Sequence, residues 1–318
     1  MKHLFVVNPA AGKENALPAL REKVASLFPD LDVEFYETKA EKDATVFVKN
    51  YCERHPEPLR IYACGGDGTL NEVVSGAIGF SQVSVASYPS GSGNDFVKYY
   101  GGKDAFFDLA ALVNGEEELI DVMKIGDRYA INATHFGFDS AVAKTMAAVR
   151  RKKIIGGKNA YTTGVVKALF TAMKNPCKVT VDGELLNPAG SILLCTIANG
   201  QYVGGSYRCA PRSLDNDGLL EVCLVRPISI FTFLKLMNDY KIGTHLENPA
   251  FAKFMVYRRG KEVKISAPDD FVYSLDGELV KGGDFTVEVL PKALRFVVPK
   301  NTKPLHGDHV AVRRKENV

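Results

Sequence analysis

Residues 1–122 carry a rhythm that strongly restricts how the chain can fold. Short apolar runs alternate with amphipathic stretches. "HLFVVNP" leads to a segment with Leu17, Leu20, Val24 and Leu27 at helical spacing, and "DVEFYET" to one with Ala44, Phe47, Val48 and Tyr51. "RIYACGGDG" runs into "TLNEVVSGAI", and "VSVASYP" into "SGSGNDFVKYY". Strands alternating with helices predict βαβ units and a mostly parallel sheet covered on both faces. In such sheets ligands bind beyond the C-terminal strand ends.

After "ELIDVMKIG" the rhythm changes to β-rich runs separated by turn signals, among them "CKVTVDGELL", "SILLCTIANG", "LLEVCLV" and "FVYSLDGELV". That pattern predicts an antiparallel sandwich or barrel. Helical patterns interrupt it at 139–153, 158–174 and 229–241. The expected fold is therefore a Rossmann-like α/β domain over 1–122, followed by a β-rich antiparallel domain with inserted helices over 123–295. Residues 296–318 either pack back on the first domain or stay unstructured. The 318-residue length leaves room for two such domains.

Composition excludes several function classes. The longest apolar stretches, such as "SILLCTIA", fall far short of the ~20 residues of a membrane-spanning helix. "MKHLFVVNPAAG" lacks the layout of a secretory signal, so a cytoplasmic protein is expected. None of the six cysteines forms a C-x-x-C pair, and His245 and His306 have no partner at ligand spacing, so no zinc site is expected. A net charge of +3 does not suggest nucleic acid. Two basic clusters, Arg150–Lys153 and Arg313–Lys315, read either as a solvated helix face and a tail or as contacts to an anionic membrane surface.

The chemistry concentrates in three loops at successive strand ends. In "CGGDGTLNEVVSG", Gly65, Gly66 and Gly68 let the backbone approach a ligand, and their N–H groups with the following helix end would cradle a phosphate. Thr69 is the expected N-cap, with Glu72 at capping-box spacing. Asp67 would repel a phosphate unless a cation lay between them, which points to a nucleotide bound with Mg²⁺. "YPSGSGNDF" offers Ser92, Asn94 and Asp95, and "VVNPAAGK" ends the first strand in the same way. No P-loop and no dinucleotide fingerprint occurs.

The combination "NPAAG", "GGDGTLNEVVSG" and "PSGSGNDF", followed by "IDVMKI" and "CAPRSLDNDGLLEV", closely resembles the catalytic domain of diacylglycerol kinases and related lipid kinases. That group includes sphingosine and ceramide kinases and the bacterial soluble lipid kinases. The resemblance covers most of the chain. GGDGT alone also occurs in NAD kinases and 6-phosphofructokinases, but the "GxLGFL"-like continuation of NAD kinases is missing. The fold implied is NAD-kinase- and diacylglycerol-kinase-like.

The resemblance implies ATP contacts at Asn8, Pro9, Ala10, Ala11, Gly12, Thr38, Gly65, Gly66, Asp67, Gly68, Thr69, Leu70, Asn71, Glu72, Gly91, Ser92, Asn94 and Asp95. It implies that Asp67, Asp95 and Asp121 organise Mg²⁺ and the phosphates. A second, structural Mg²⁺ would sit on the Asp217 side chain and the carbonyls of Leu214 and Leu219. On residues alone, "SLDNDGLL" reads as an Asp-Asn-Asp-Gly turn.

Asp-Gly-Glu occurs twice, at 182–184 and 276–278, and each copy reads locally as a hairpin turn. The family places catalytic acidic groups late in the β-rich domain, which selects Asp276 and Glu278 with Asp67. A lipid hydroxyl must lose its proton as it attacks the γ-phosphate, and a carboxylate within reach can take it; either member of the pair is a candidate. Ser92 and Gly93 depart from the Thr and the Thr or Ala of many bacterial members, which leaves the lipid's identity open. The expected activity is ATP- and Mg²⁺-dependent transfer to a lipid hydroxyl, diacylglycerol or a related lipid, in the interdomain cleft. The alternatives are a kinase for a soluble hydroxyl substrate such as NAD, or a non-catalytic nucleotide-binding regulator. Expected partners are the lipid at a membrane surface, with transient contact at the inner face and no nucleic acid; a homodimer is also allowed.

Overall fold

The structure, a computed structural model, describes residues 1–12, 14–151, 157–302 and 304. The N-terminal half builds the expected α/β layer. Its elements are β1 (Lys2–Val7), α1 (Leu17–Leu27), β2 (Val33–Glu37), α2 (Asp43–Arg54), β3 (Leu59–Gly65), α3 (Asp67–Ala77) and β4 (Val83–Pro89). Two short helices, α4 (Lys103–Phe107) and α5 (Leu109–Val113), then lead to β5 (Glu116–Ile125). β1 pairs in parallel with β2 and β3, and β3 with β4. Every residue of β3 is buried. A strand covered on both faces reads as a continuous apolar run for that reason.

The second half is antiparallel. It opens with β6 (Arg128–Ala130), β7 (Ala133–Gly137), α6 (Phe138–Arg151) and α7 (Gly157–Thr171). Short strands follow: β8 (Asn175–Pro176), β9 (Lys178–Val181), β10 (Glu184–Leu185), β11 (Ser191–Ile192), β12 (Leu194–Ala198) and β13 (Leu220–Val225). After α8 (Ile230–Ile242) come β14 (Met255–Gly260), β15 (Glu262–Ser266), β16 (Val272–Leu275), β17 (Glu278–Lys281) and β18 (Phe285–Val298).

β18 joins the halves. Residues near its start pair with β15, much of its length pairs with β5, and Arg295 and Phe296 pair in parallel with Ser84 and Val85 of β4. A ten-stranded sheet thus runs from the parallel half into the sandwich, and a six-stranded sheet in the order β14-β13-β12-β7-β16-β17 packs on it. Phe136, Ile197, Val222 and Leu275 point into the space between the two sheets. The other face of the six-stranded sheet is covered by α6, α7 and α8, through Phe138, Ala168, Phe233 and Leu236. The Arg150–Lys153 cluster lies partly, and Arg313–Lys315 wholly, outside the described residues. Among the described residues, no helix is long and apolar enough to cross a membrane.

Candidate active site

The three glycine-rich loops meet at the C-terminal ends of the parallel strands. Asn8 donates its amide to the Thr69 hydroxyl at 3.1 Å, tying the first loop to α3. Gly91 N–H donates to the Gly65 carbonyl at 3.1 Å. A Cβ on Gly91 would lie 2.3 Å from the Gly66 Cα, so the two backbones approach as closely as they do only because neither residue has a side chain. Ala10, Gly12, Gly68 and Ser92 are exposed around this junction, beside the N-terminal end of α3. That surface of small residues and a helix N-terminus suits a polyphosphate.

Other positions named from sequence have structural work. Gly66, not Thr69, is the N-cap of α3, and Thr69 sits in its first turn holding Asn8. Glu72 makes no capping box. Its carboxylate accepts from the N–H groups of Lys42 and Ala44 at the start of α2. Leu70 is in the core. The Asn94 amide donates to the carbonyls of Pro89 and Gly91 and shapes its own loop. Thr38 N–H donates to the Val7 carbonyl, which places Thr38 beside the first loop.

Asp67, Asp95 and Asp276 converge. Asp67 accepts from the Asp95 N–H at 2.6 Å. Burial, then the neighbouring Asp95 and Asp276 charges, push its carboxyl up to about 6. Room for that carboxylate comes from Gly93, where a Cβ would stand 2.7 Å from the Asp67 Oδ2. Asp95 is held by the Lys98 ammonium and the Gly205 N–H. The crowding that raises the Asp67 carboxyl fits a divalent cation, which Asp67 would hold, joined by Asp95 if the Lys98 ammonium gives way to the ion.

Asp276 and its twin Asp182 occupy identical turns. Both have φ of +45°, and each is followed by a glycine at positive φ, the backbone of a two-residue hairpin loop. Asp182 is exposed and accepts from Lys261 and Glu262 N–H. Asp276 is buried. Its carboxylate accepts from the N–H groups of Ile131, Asn132 and Ala133 and from the Asn71 amide at 3.0 Å. Burial holds its carboxyl above the usual range despite these four donors. Asn71 also donates to the Tyr129 carbonyl, so it links the parallel half to the sandwich. The turn sends Glu278 elsewhere: it is exposed and pairs with Arg128 at 3.4 Å, as Glu184 pairs with Arg258.

Asp121 is not brought to this cluster. Its carboxylate accepts from the Gly218 and Lys292 N–H groups. Asp217 lies nearby, between half-buried Leu214 and Leu219. One of its oxygens accepts from the Leu219 N–H and the other pairs with the Arg259 guanidinium, which also holds Glu221 at 2.7 Å. With both oxygens engaged and a fixed positive charge in place, these residues do not fit a metal ion. Arg259 supplies the cation.

The feature that sequence reasoning missed adjoins the carboxylates. A cavity of about 290 Å³ opens between the six-stranded sheet and helices α6, α7 and α8, with Asp67, Asp95 and Asp276 at one end. Most of the remaining wall is apolar, including Phe138, Val142, Leu194, Phe233, Leu236 and Met237. Polar side chains interrupt it, among them His135, Ser274 and Asp139. His135 and Ser274 face each other across β7 and β16, and the His135 Nδ1 and Ser274 Oγ have no protein partner. Asp139 is half-buried, and its apolar surroundings push its carboxyl up to about 6. The pairing of β7 with β16 sets His135 opposite Ser274, and α6 brings Asp139 to the same cavity.

Residues 2–125 match the diacylglycerol kinase catalytic domain, and residues 132–298 match the YegS C-terminal NAD kinase beta sandwich-like domain. The chain belongs to this kinase family. A "Probable lipid kinase YegS-like" protein of Shewanella frigidimarina is 32% identical over 250 residues, covering 76% of this chain and 77% of that protein. One of the same description from Klebsiella pneumoniae is 29% identical over 300 residues, covering 93% and 95%. Among solved structures, a diacylglycerol kinase of Bacillus anthracis superposes with a TM-score of 0.68 at 21% identity, over 94% of this chain and 97% of that one. That likeness establishes the shared fold.

Proposed function

We propose that this family member is an ATP- and Mg²⁺-dependent lipid kinase that transfers the γ-phosphate to a lipid hydroxyl. One observation carries the reading: the carboxylate cluster beside the phosphate-type loops stands at the end of an apolar cavity. A soluble dinucleotide would gain little from such walls, whereas an aliphatic chain is stabilised by burial there.

ATP would lie along the loops of Asn8–Gly12, Gly65–Thr69 and Gly91–Asp95. Mg²⁺, held by Asp67 and Asp95, would neutralise charge on the phosphates. The chain's own part is to position the reactants, since phosphoryl transfer of this kind depends mainly on alignment and electrostatics. Asp276 is the proton acceptor for the attacking hydroxyl. Three of its four donors are fixed backbone groups, but the Asn71 amide can rotate away, leaving Oδ2 with the Ile131 N–H alone and one acceptor position open. His135 and Ser274 offer hydrogen bonds to the lipid's polar part.

The test is incubation with γ-labelled ATP, Mg²⁺ and a panel of lipids together with NAD. The expected result is label in one or more lipids and none in NAD. Transfer to NAD alone would overturn the lipid reading, and ATP binding without transfer to any acceptor would favour a regulator.

A further inference from the structure

The turn at Val203–Tyr207 belongs to the sandwich half, but its tip is held by the parallel half. Val203 and Tyr207 exchange both backbone hydrogen bonds, and Gly204 and Gly205, at φ of +60° and +80°, reverse the chain between them. The Gly205 N–H donates to both carboxylate oxygens of Asp95, at 3.0 and 3.1 Å. The Gly205 carbonyl accepts from the Lys98 ammonium at 2.7 Å, and the same ammonium sits on Asp95. Both backbone groups of one glycine are thus tied to two side chains that are tied to each other.

The roots of the turn are fixed separately. The Asn132 amide donates to the Tyr202 carbonyl, the Arg208 N–H to the Lys241 carbonyl, and the Arg208 guanidinium to the Gln201 side-chain oxygen at 2.7 and 2.9 Å. None of these bonds involves Asp95 or Lys98, so the tip can come away while the sheet behind it stays in place. Gly204, Gly205 and Ser206 are exposed on the outside. On the inside, Val203, Gly204 and Tyr207 line the apolar cavity together with Asp67, Asp95 and Asp276. The turn is a flap over the carboxylate end of that cavity.

Asp95 cannot serve this latch and a divalent ion equally well. A second positive charge on its carboxylate repels the Lys98 ammonium, which frees the Gly205 carbonyl. The same charge weakens the hold on the Gly205 N–H, whose positive end points at the same two oxygens. We propose that the Val203–Tyr207 flap is latched shut by Asp95 and Lys98 until Asp95 takes up an ion, and that its release opens the cavity to the acceptor. The flap then imposes an order, nucleotide with its ion first and acceptor second. The inference rests on the Mg²⁺-dependent reading for its purpose.

Hydrogen exchange followed by mass spectrometry compares the full chain alone, with Mg²⁺, with Mg²⁺ and a non-hydrolysable ATP analogue, and with the analogue in EDTA. Mg²⁺, with or without the analogue, should speed exchange at residues 203–207 by about tenfold or more, the scale of one lost hydrogen bond to a charged group. The analogue in EDTA should leave exchange at the unliganded rate, and residues 194–198 of β12 should not respond. Lys98→Met should exchange fast without Mg²⁺ and gain nothing from it, while Lys98→Arg should restore the slow rate. Exchange at 203–207 that ignores Mg²⁺ in the wild type, acceleration by the analogue in EDTA, or a folded Lys98→Met protein that keeps the slow rate would each overturn the latch. If Lys98→Met does not fold, the wild-type comparison decides alone. Loosening by Mg²⁺ with phosphate passed to no acceptor would uphold the latch and defeat the kinase reading. Transfer to a lipid with exchange indifferent to Mg²⁺ would defeat the latch alone.

Discussion

Asp139 shows how a single carboxyl reports the character of the cavity. It is walled by apolar side chains, and burial alone pushes it up to about 6. In the unfolded chain it would titrate near the ordinary ~4. The folded state therefore binds the proton more tightly. That contribution to stability is fully present below about pH 4 and is lost as pH rises through about 6. Asp139→Asn keeps the shape and removes the titration. Its melting temperature should match wild type near pH 4 and exceed it by a few degrees at pH 7, on the order of 2 kcal/mol. Equal melting temperatures at both pH values would show a carboxyl that meets water. Single residues also mark the limit of sequence reading. Asp67 and Asp95 stand out as acids in glycine-rich loops, but Asp139, His135 and Ser274 are ordinary residues until the sheet is assembled.

Elements were more legible than the contacts between them. The alternation of apolar runs and helical periodicities gives the parallel half, because strands buried on both faces must be apolar throughout. Asp-Gly gives both hairpins. Local pattern could not say that the Asp217 loop meets β14, since Arg259 is distant in sequence and its role depends on the β13–β14 register. That pairing makes a specific prediction. If Arg259 is the cation of this loop, Arg259→Ala should lower the melting temperature by leaving Asp217 and the buried Glu221 unpaired. Any change that Mg²⁺ makes to the melting temperature through Asp67 should be the same in the wild type and in Asp217→Ala. A rise with Mg²⁺ that the wild type shows and Asp217→Ala lacks would restore a metal to the loop.

At the scale of the whole molecule, β18 and the Asn71–Asp276 contact join two halves of different architecture. Of residues 296–318, which sequence left open, 296–298 complete β18, which pairs with β4 and β5 of the first half, while 303 and 305–318 lie outside the described residues. Asp276 belongs to the sandwich, yet one of its carboxylate oxygens is held by Asn71 of α3. Its twin Asp182 has the same turn and contacts only the sandwich. The difference between the twins is thus one of position in the molecule, not of local pattern. The most direct measurement is the rate of labelled phosphate transfer from ATP to the lipid acceptor by Asp276→Asn and Asp182→Asn. ATP binding and the circular dichroism spectrum serve as checks on folding. Asp276→Asn should lose activity by about 100-fold or more, the range for a lost proton acceptor, while Asp182→Asn stays close to wild type. A folded, ATP-binding Asp276→Asn enzyme with near-normal turnover would contradict the account.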